Sequence, residues 1–266
     1  MRLVALTYGT EGDTRPIAAL CRALMDTGYG VALLADGGTL GSARDLGVPH
    51  VALAGDIRGT LQSVSSASSF VAGKNSLNAT AQALARIANE NADAWMRQVL
   101  DAAAGSDGLI VAGLAAFIGF SAAEKLGIPV IGAGMIPLTP TSAFPSPFLA
   151  PRSMPRWLNR FSYRLVSELL WRAFRKATNA ARSKVGLPSG HKIWSGHPML
   201  YGISPSLLPQ PADWPNNACM CGQWMRPVRN WRLPDRPQAF SPRATRQSMS
   251  DSAAWWGSIL TRWSMP

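Results

Sequence analysis

The fold of this chain is limited most strongly by an alternation of short apolar runs and helical patterns along its first half. Two stretches, LGVPHVAL at 46–53 and LGIPVIGA at 126–133, repeat one arrangement: a helix end, a glycine, a proline and a buried apolar strand. Strands that alternate with helices in this way are typical of a parallel sheet. We therefore expect an α/β fold with a doubly wound, Rossmann-like parallel sheet and an irregular C-terminal tail.

The apolar runs predict strands at 2–8, 31–35, 50–53, 108–112, 128–131 and 200–203. Helical spacing predicts helices at about 17–24, 42–46, 79–103, 115–125 and 156–184. Two segments show neither period. The Ser-, Gly- and Ala-rich stretch 59–76 is predicted to be a mobile loop, and the proline-rich stretch 135–155 to be an ordered loop that walls a pocket.

The composition is that of a chain that can bury a core, since 47% of its 266 residues are hydrophobic and 15% are charged. Its net charge of +11 suggests nucleic acid, but no zinc-finger spacing or RNA-binding aromatic motif is present, and we expect no nucleic-acid partner. Cys21, Cys219 and Cys221 form neither a disulfide framework nor a zinc-binding spacing, so no metal is expected. The first residues lack a signal-peptide pattern, and we expect a cytoplasmic protein.

The segment GTEGDTRP at 9–16 joins the first predicted strand to the first predicted helix. Gly9 and Gly12 permit a tight turn and a close approach of the backbone to a ligand. Asp13 can cap the first helical turn, and Pro16 is tolerated early in a helix. The turn therefore presents a carboxylate at the carboxyl end of a strand, where open parallel sheets bind their ligands.

Three segments carry a resemblance to one family. GTEGDTRP resembles the GSRGDxxP signature of glycosyltransferases that modify sterols, glycolipids and glycopeptide antibiotics. PLTPTSAFPSP at 137–147 resembles the loop after the fifth strand of that group, and LYGISPSLLPQPADWPNNACMCGQW at 200–224 resembles the segment that leads into its interdomain linker. The resemblance extends from residue 1 to about 240 in the expected order. It implies the N-terminal, acceptor-binding half of a two-domain GT-B fold, similar to the glycosyltransferase family 28 domain.

The resemblance also implies a reaction, in which a hexose passes from a nucleotide-sugar to a hydroxyl of a hydrophobic acceptor. The nucleotide-sugar is then a co-substrate, and no further cofactor is implied. Asp13 matches the family's proposed general base, which takes the proton of the acceptor hydroxyl. Capping of the helix is its alternative role and is compatible with catalysis. The chain departs from the signature at Thr10 and Glu11, where Ser and Arg are common, and this changes the charge beside the site.

The positions implied to contact the acceptor are Gly12, Thr14, Met135, Pro137, Thr139 and Thr141. For the last four of these, a proline-rich surface loop without a binding role is the alternative. His197, in GHPML, has no acidic residue near it in sequence, and we interpret it as a structural or exposed histidine.

We divide the chain into an acceptor-binding domain at 1–225, a remnant of the interdomain linker at 226–240 and a disordered tail at 241–266. The tail lacks a strand such as PVYVGFGSM, which opens the nucleotide-sugar domain of the family. The DNA that encodes ATRQSMSDSAAWWGSIL can also be read in the frame that begins at the third base of each codon. In that frame it can spell DAPVYVGFGSMVGFDPD. We interpret the tail as out of frame and the chain as a truncated or frameshifted enzyme, inactive alone. A separate donor-binding half is a candidate partner.

The predicted helix at 156–184 has an apolar stripe, Trp157, Phe161, Leu165 and Leu169, and a basic one, Arg156, Arg160 and Arg164. We interpret it as a packed helix with a solvated basic face. The alternative is a patch that contacts anionic lipid, which would place the protein peripherally at the inner membrane face. Two other functions remain open: a non-catalytic module that binds a hydrophobic small molecule, and a peripheral membrane protein.

Overall fold

The computed structural model describes residues 1–68, 75–149, 154–191 and 195–225, all within one compact unit, Met1–Met225. The predicted linker remnant and tail lie outside the described residues. The strands are β1 Arg2–Leu6, β2 Gly30–Asp36, β3 His50–Leu53, β4 Gly108–Val111, β5 Val130–Gly134, β6 Met199–Tyr201 and β7 Ala218–Met220. The helices are α1 Glu11–Asp26, α2 Gly41–Asp45, α3 Ile57–Ser68, α4 Asn75–Ala103, α5 Ala116–Leu126 and α6 Arg156–Lys184, with short 3₁₀ turns at Gly37–Thr39 and Gly113–Ala115.

The seven strands form one sheet in the order β3-β2-β1-β4-β5-β6-β7, and every neighbouring pair is parallel. This confirms the predicted α/β fold with a doubly wound, Rossmann-like sheet. The strand order reverses between β1 and β4. Because ligands of such sheets bind outside the carboxyl ends of the strands at this reversal, the fold directs attention to the turn after β1.

Helices cover both faces of the sheet, and β1 shows how its residues divide between them. Val4 and Leu6 are buried in the same core cluster as Trp95 of α4. Leu3 and Ala5 are buried in the opposite cluster, which includes Ile17 of α1. Successive side chains of a strand point to opposite faces, so a strand that is covered on both sides is apolar throughout.

The two repeated helix–glycine–proline–strand stretches form as predicted. Gly127 follows α5 with φ +66°, in the left-handed conformation that ends a helix, and Gly47 has φ +64° after α2. The strands that follow them differ in burial. β3 is an edge strand, and three of its four residues are exposed, so the expectation of a buried strand is wrong there.

The prediction of a loop at 59–76 is wrong for its first part, because α3 occupies Ile57–Ser68, and α4 already begins at Asn75. Two carboxylates satisfy the first N–H groups of α3. Asp56 accepts a hydrogen bond from Gly59 N (2.9 Å), and Asp36 accepts one from Ile57 N (3.1 Å). Ile57 is buried in the core, so tertiary packing overrides the loop-like composition.

The far edge of the sheet differs from the prediction in detail. β5 and β6 overlap the predicted ranges, but their ends differ from the predicted ones by one to three residues, and β7 was not predicted. β7 has three residues, which is too short for a hydrophobic period to show.

Helix α6 has the predicted bounds but packs through a different face. The face that is buried includes Tyr163, Val166 and Phe174. The helix therefore packs with its basic face exposed, as interpreted, but the apolar stripe that begins at Trp157 is exposed as well. No helix in the described part of the chain is both long and apolar enough to cross a membrane.

Candidate functional site

The turn between β1 and α1 holds the Asp13 carboxylate at the carboxyl edge of the sheet. Asp13 Oδ2 accepts hydrogen bonds from the backbone N–H of Thr10 (2.8 Å) and from its hydroxyl (3.2 Å). The pairing closes the first turn of α1, because Thr10 immediately precedes the helix and Asp13 is its third residue. No hydrogen bond to Asp13 Oδ1 occurs within the described ranges, so one oxygen caps the helix while the other remains available.

Gly9 allows the carboxylate to take this position. A Cβ atom at Gly9 would lie 2.2 Å from Asp13 Oδ2 and 2.5 Å from Asp13 Cγ, well inside van der Waals contact. Gly9 is itself buried. The carboxylate therefore folds back against the backbone of the turn, and the first glycine of the motif is required for its placement.

Burial raises the pKa of Asp13 above its ordinary value, and the two hydrogen bonds from Thr10 offset this only in part. The side chain is half-buried. A carboxylate in such a place is a stronger base than one in water.

The neighbouring Glu11, which stands where the family signature has arginine, points to other groups. Its carboxylate lies 3.6 Å from the Arg15 guanidinium and accepts a hydrogen bond from Ser42 Oγ of α2 (3.4 Å). The substitution therefore adds a weak bridge between α1 and α2.

The two residues that flank Asp13 lie in different surroundings. Gly12 is exposed. Thr14 is fully buried, and its hydroxyl lies 2.8 Å from the Thr39 hydroxyl. The Thr14 side chain thus joins α1 to the turn after β2, and the role predicted for it in acceptor binding stays a prediction.

The turn that follows β4 lies between the Asp13 turn and β5. Gly113 in this turn has φ +62°, and a Cβ there would lie 2.5 Å from the carbonyl oxygen of Tyr8. Leu114 N donates to that same oxygen (2.9 Å). The two turns therefore touch. Since β4 alone separates β1 from β5, the ends of β1 and β5 lie about 10 Å apart, at about 4.8 Å per strand.

The segment 135–149 after β5, here called the acceptor loop, is fixed from residues more than 60 positions later in the chain. The Tyr201 hydroxyl accepts hydrogen bonds from the N–H groups of Leu138 (3.1 Å) and Thr139 (2.7 Å), and it lies 2.7 Å from the Thr139 hydroxyl. Trp214 Nε1 donates to the carbonyl oxygen of Thr139 (3.1 Å). β6 thus holds the start of the loop.

Asp213 holds the next turn of the acceptor loop. Its carboxylate accepts hydrogen bonds from Thr141 Oγ1 (2.5 Å) and from the N–H and hydroxyl of Ser142 (both 2.8 Å). Arg160 of α6 completes the group with an ion pair to Asp213 at 3.0 Å. The hydrogen bond from Thr141 is the main reason that the pKa of Asp213 lies well below its usual range, and those from Ser142 and Arg160 add to it.

Met135, Pro137, Thr139 and Thr141 thus lie in one loop that is held from β6, the Asp213 segment and α6. Met135 is half-buried near Trp224, and Pro137 is buried. Among the described residues, no hydrogen bond joins these four positions to Asp13. Asp13 and the acceptor loop lie at the same edge of the sheet, because both follow the carboxyl ends of parallel strands.

Sequence reasoning missed Tyr201, Asp213 and Trp214 as parts of this site. All three lie in the quoted segment LYGISPSLLPQPADWP, so the signal was present. It also missed Asp36, which is fully buried at the end of β2, and Tyr8, whose pKa is raised by burial and by the nearby Asp36 carboxylate.

His197 lies away from the candidate site. It precedes β6, so it lies at the amino end of the strands, and its ring packs on Phe120 with centroids 4.4 Å apart. Burial lowers its pKa. Within the described ranges, no group of three or more His, Cys, Asp or Glu side chains could hold a metal ion.

Comparison with known proteins identifies the family. Residues 3–145 match the glycosyltransferase family 28 N-terminal domain. The sterol 3-beta-glucosyltransferase ATG26 of Gibberella zeae is 28% identical over 273 residues, which cover 98% of this chain and 18% of that protein. The sterol 3-beta-glucosyltransferase of Neurospora crassa is 28% identical over 251 residues, which cover 91% of this chain and 15% of that protein. The chain therefore spans less than a fifth of the length of these curated relatives.

Solved structures show the same fold at low sequence identity. The glycotransferase of kitacinnamycin superposes with a TM-score of 0.56 at 15% identity, over 88% of this chain and 55% of that chain. The glycosyltransferase VinC in complex with DTDP gives a TM-score of 0.53 at 14% identity, over 83% of this chain and 52% of that chain. The parallel sheet is thus that of GT-B glycosyltransferases. Since the family match covers more than half of its residues, the chain belongs to glycosyltransferase family 28, with residues 3–145 in the N-terminal domain.

Proposed function

We propose that this chain is the acceptor-binding half of a nucleotide-sugar-dependent glycosyltransferase that glycosylates a hydroxyl of a hydrophobic acceptor, and that Asp13 is its general base. The observation that carries the proposal is the state of the Asp13 carboxylate. It is partly desolvated, one of its oxygens is fixed by Thr10, and the other accepts no hydrogen bond from the described residues.

The proposed step at Asp13 is a proton transfer coupled to sugar transfer. The acceptor oxygen forms a bond to the anomeric carbon as the bond from that carbon to the nucleotide phosphate breaks. The hydroxyl proton passes to Asp13 Oδ1. Burial favours this transfer, because it raises the affinity of the carboxylate for a proton.

The proposed acceptor is a sterol or a similar flat, apolar alcohol. The curated relatives named above are sterol 3-beta-glucosyltransferases, and this supports the acceptor class. The Asp13 turn and the acceptor loop lie at the same edge of the sheet with one strand between them, and this supports a shared acceptor site. In the proposed complex Met135 and Pro137 offer apolar contact. Thr139 and Thr141 act by shaping the loop, because their hydroxyls are engaged with Tyr201 and Asp213.

We propose that the chain alone does not transfer a sugar. Transfer requires the acceptor and the sugar donor to be held in one geometry, which supplies several kcal/mol and at most about 7–11 kcal/mol of barrier lowering. The chain covers 18% of the length of the Gibberella zeae relative, and the donor-binding half is proposed to be a separate segment or polypeptide.

Two titrations test the proposal on the chain as it is. We expect saturable binding of dehydroergosterol, a fluorescent sterol, and no binding of UDP-glucose. Tyr201→Phe removes the hydroxyl that contacts the N–H groups of Leu138 and Thr139 and the Thr139 hydroxyl. Loss of even one such hydrogen bond costs about 0.5–1.5 kcal/mol, so we expect sterol binding to weaken at least about 2-fold. The control Tyr29→Phe changes an exposed tyrosine of the same type and leaves the affinity unchanged.

Two results would contradict the proposal. One is the absence of saturable sterol binding to the folded chain. The other is sugar transfer by the 266-residue chain alone with any nucleotide-sugar. Saturable binding that persists in a full-length form without any sugar transfer would favour the non-catalytic binding module.

A further inference from the structure

Four large apolar side chains form an exposed row on α6, here called the apolar stripe: Trp157, Phe161, Leu165 and Leu169. Trp157 is 78% exposed, and the other three are 40–58% exposed. They recur every four residues, so they follow one side of the helix over about 18 Å, at 1.5 Å per residue. The stripe is therefore one continuous surface feature.

The stripe is not needed to pack α6 on the protein. The opposite face supplies the buried residues Tyr163, Val166, Trp171 and Phe174, of which Phe174 belongs to the core cluster beside the sheet. A surface helix normally keeps its large apolar residues on the face that packs. A second apolar face in water indicates an interaction site.

Basic side chains flank the apolar stripe on one side and continue past its C-terminal end. The exposed charged residues of α6 between positions 156 and 176 are Arg156, Arg160, Arg164, Arg172, Arg175, Lys176 and Glu168. Six positive charges and one negative charge give these seven α6 residues a net charge of +5, and Asp213, which pairs with Arg160, lowers the local charge to +4. Two of the arginines are paired, Arg160 with Asp213 (3.0 Å) and Arg172 with Glu168 (3.2 Å). The other four cations have no ion pair within the described part of the chain.

The cations continue beyond the C-terminal end of the stripe. Arg172 and Lys176 follow Leu169 by three and seven residues, a spacing that places them on the same side of the helix. Arg175 and Lys176 also line a shallow groove with Trp171 and His191. Positive charge therefore lies directly beside exposed apolar surface.

We propose that the apolar stripe and its basic rim are a docking surface for a bilayer that contains anionic lipid. The four apolar side chains enter the acyl boundary while the arginines and Lys176 contact lipid phosphates. Helices that lie in the membrane interface combine Trp, Phe and Leu on one side with Lys and Arg beside them, and Trp favours the headgroup level. The excess of positive charge complements an anionic surface, which favours a bilayer over an apolar protein partner.

Docking would also position the acceptor loop. Asn159 Nδ2 donates to the carbonyl oxygen of Ser142 (2.8 Å), and Ser146 N donates to Ser162 Oγ (2.8 Å). The N-terminal half of α6 and the acceptor loop are thus one body, and a lipid contact through α6 brings this loop to the bilayer. The docking proposal stands on the surface itself and does not depend on which acceptor is bound.

The test is cosedimentation of the full chain with vesicles of phosphatidylcholine and about 30% phosphatidylserine, a surface that attracts basic segments. The stripe variant combines Trp157→Gln and Phe161→Gln. The control combines Tyr29→Gln and Val51→Gln, which are exposed apolar positions on another part of the surface. We expect the partition coefficient to fall about tenfold or more in the stripe variant and to stay unchanged in the control.

A charge variant, Arg164→Glu with Arg175→Glu, tests the basic rim against Arg86→Glu with Arg97→Glu on α4. We expect the first pair to weaken binding and the second to leave it nearly unchanged. Binding of the wild type should also fall when salt is raised. All variants keep the seven arginines of residues 226–266, so the charge of that segment cannot explain a difference between them.

Three results would overturn the proposal. The proposal is wrong if the wild type sediments no better with anionic vesicles than without them. It is also wrong if the stripe variant binds as well as the control. A wild type that is dimeric by analytical ultracentrifugation, with a monomeric stripe variant and no vesicle binding, would assign the stripe to a second copy of the chain. Circular dichroism confirms that each variant is folded, which is expected because exposed substitutions change stability by about 0.5 kcal/mol or less.

Discussion

Substitution of Gly9 by alanine should displace the Asp13 carboxylate and destabilise the turn that holds it. Gly9 does not have a positive φ, so its backbone tolerates alanine and the effect is steric. The new Cβ would lie 2.2 Å from Asp13 Oδ2, 2.5 Å from Cγ and 2.8 Å from Cβ. The carboxylate must move away, and both hydrogen bonds from Thr10 are then lost.

Three contributions set the size of the effect. Overpacking of a buried position costs about 1–3 kcal/mol. Loss of the helix cap costs about 0.5–2 kcal/mol. Alanine lowers the entropy of the unfolded chain, which raises the free energy of unfolding by about 0.4–1 kcal/mol. The net destabilisation expected for Gly9→Ala is therefore about 1–4 kcal/mol, measured by urea unfolding.

A matched control and a second background make the test specific. Gly41→Ala introduces a Cβ with nothing within 4 Å, at the start of α2, and should be neutral or stabilising by about 0.4–1 kcal/mol. In an Asp13→Ala background, Gly9→Ala should cost much less, because only the 2.8 Å contact between the two Cβ atoms remains. An equal cost in both backgrounds, or none in the wild type, would refute the placement of Asp13 against Gly9.

Three further predictions concern charges. Burial raises the pKa of Asp13, so the folded protein keeps a proton on this carboxyl at pH values where the unfolded chain has lost it, and stability falls as pH rises through the folded pKa. Asp13→Asn should therefore be more stable than the wild type at pH 7 in urea titrations. The difference should vanish below about pH 4. The pKa of Asp213 is lowered, so the sign is opposite: Asp213→Asn should be less stable at pH 7, and the gap should close as pH falls below about 4. Glu124→Ala leaves the 3% exposed Arg182 without its carboxylate and should cost about 2–3 kcal/mol, near the low end for a broken buried pair, whereas Glu168→Ala breaks an exposed pair and should cost about 0.3–0.5 kcal/mol. Equal costs for these two variants, or parallel pH profiles for the two aspartate variants, would contradict the assigned environments.

The parallel sheet could be predicted because its evidence is local. Each of the six predicted strands is a short apolar run, and Gly47 and Gly127 mark the helix ends that precede β3 and β5. The helix at Ile57–Ser68 could not be predicted, because its formation depends on the Asp36 carboxylate, 21 residues earlier, and on burial of Ile57. Composition alone favoured a loop there.

The candidate site also has a part that could be predicted from the sequence and a part that could not. Asp13 could be found because its hydrogen-bond partner Thr10 and the glycine it lies against belong to one short motif. The residues that hold the acceptor loop could not be assigned, since Tyr201 and Asp213 reach it across 62 and 72 positions of sequence. The exposure of the stripe that begins at Trp157 also required the structure, because helical spacing does not tell which of two apolar faces packs.

The most direct test of the central proposal is the rate of glucose transfer from UDP-glucose to ergosterol in a form of the chain that is extended by a donor-binding half. That half can be taken from the sterol 3-beta-glucosyltransferase of Gibberella zeae. We expect transfer by the extended form, and a fall in kcat of about 10²–10⁴-fold in Asp13→Asn with sterol affinity nearly unchanged. An Asp13→Asn variant whose kcat stays within about tenfold of the parent would contradict the role of Asp13 as the general base.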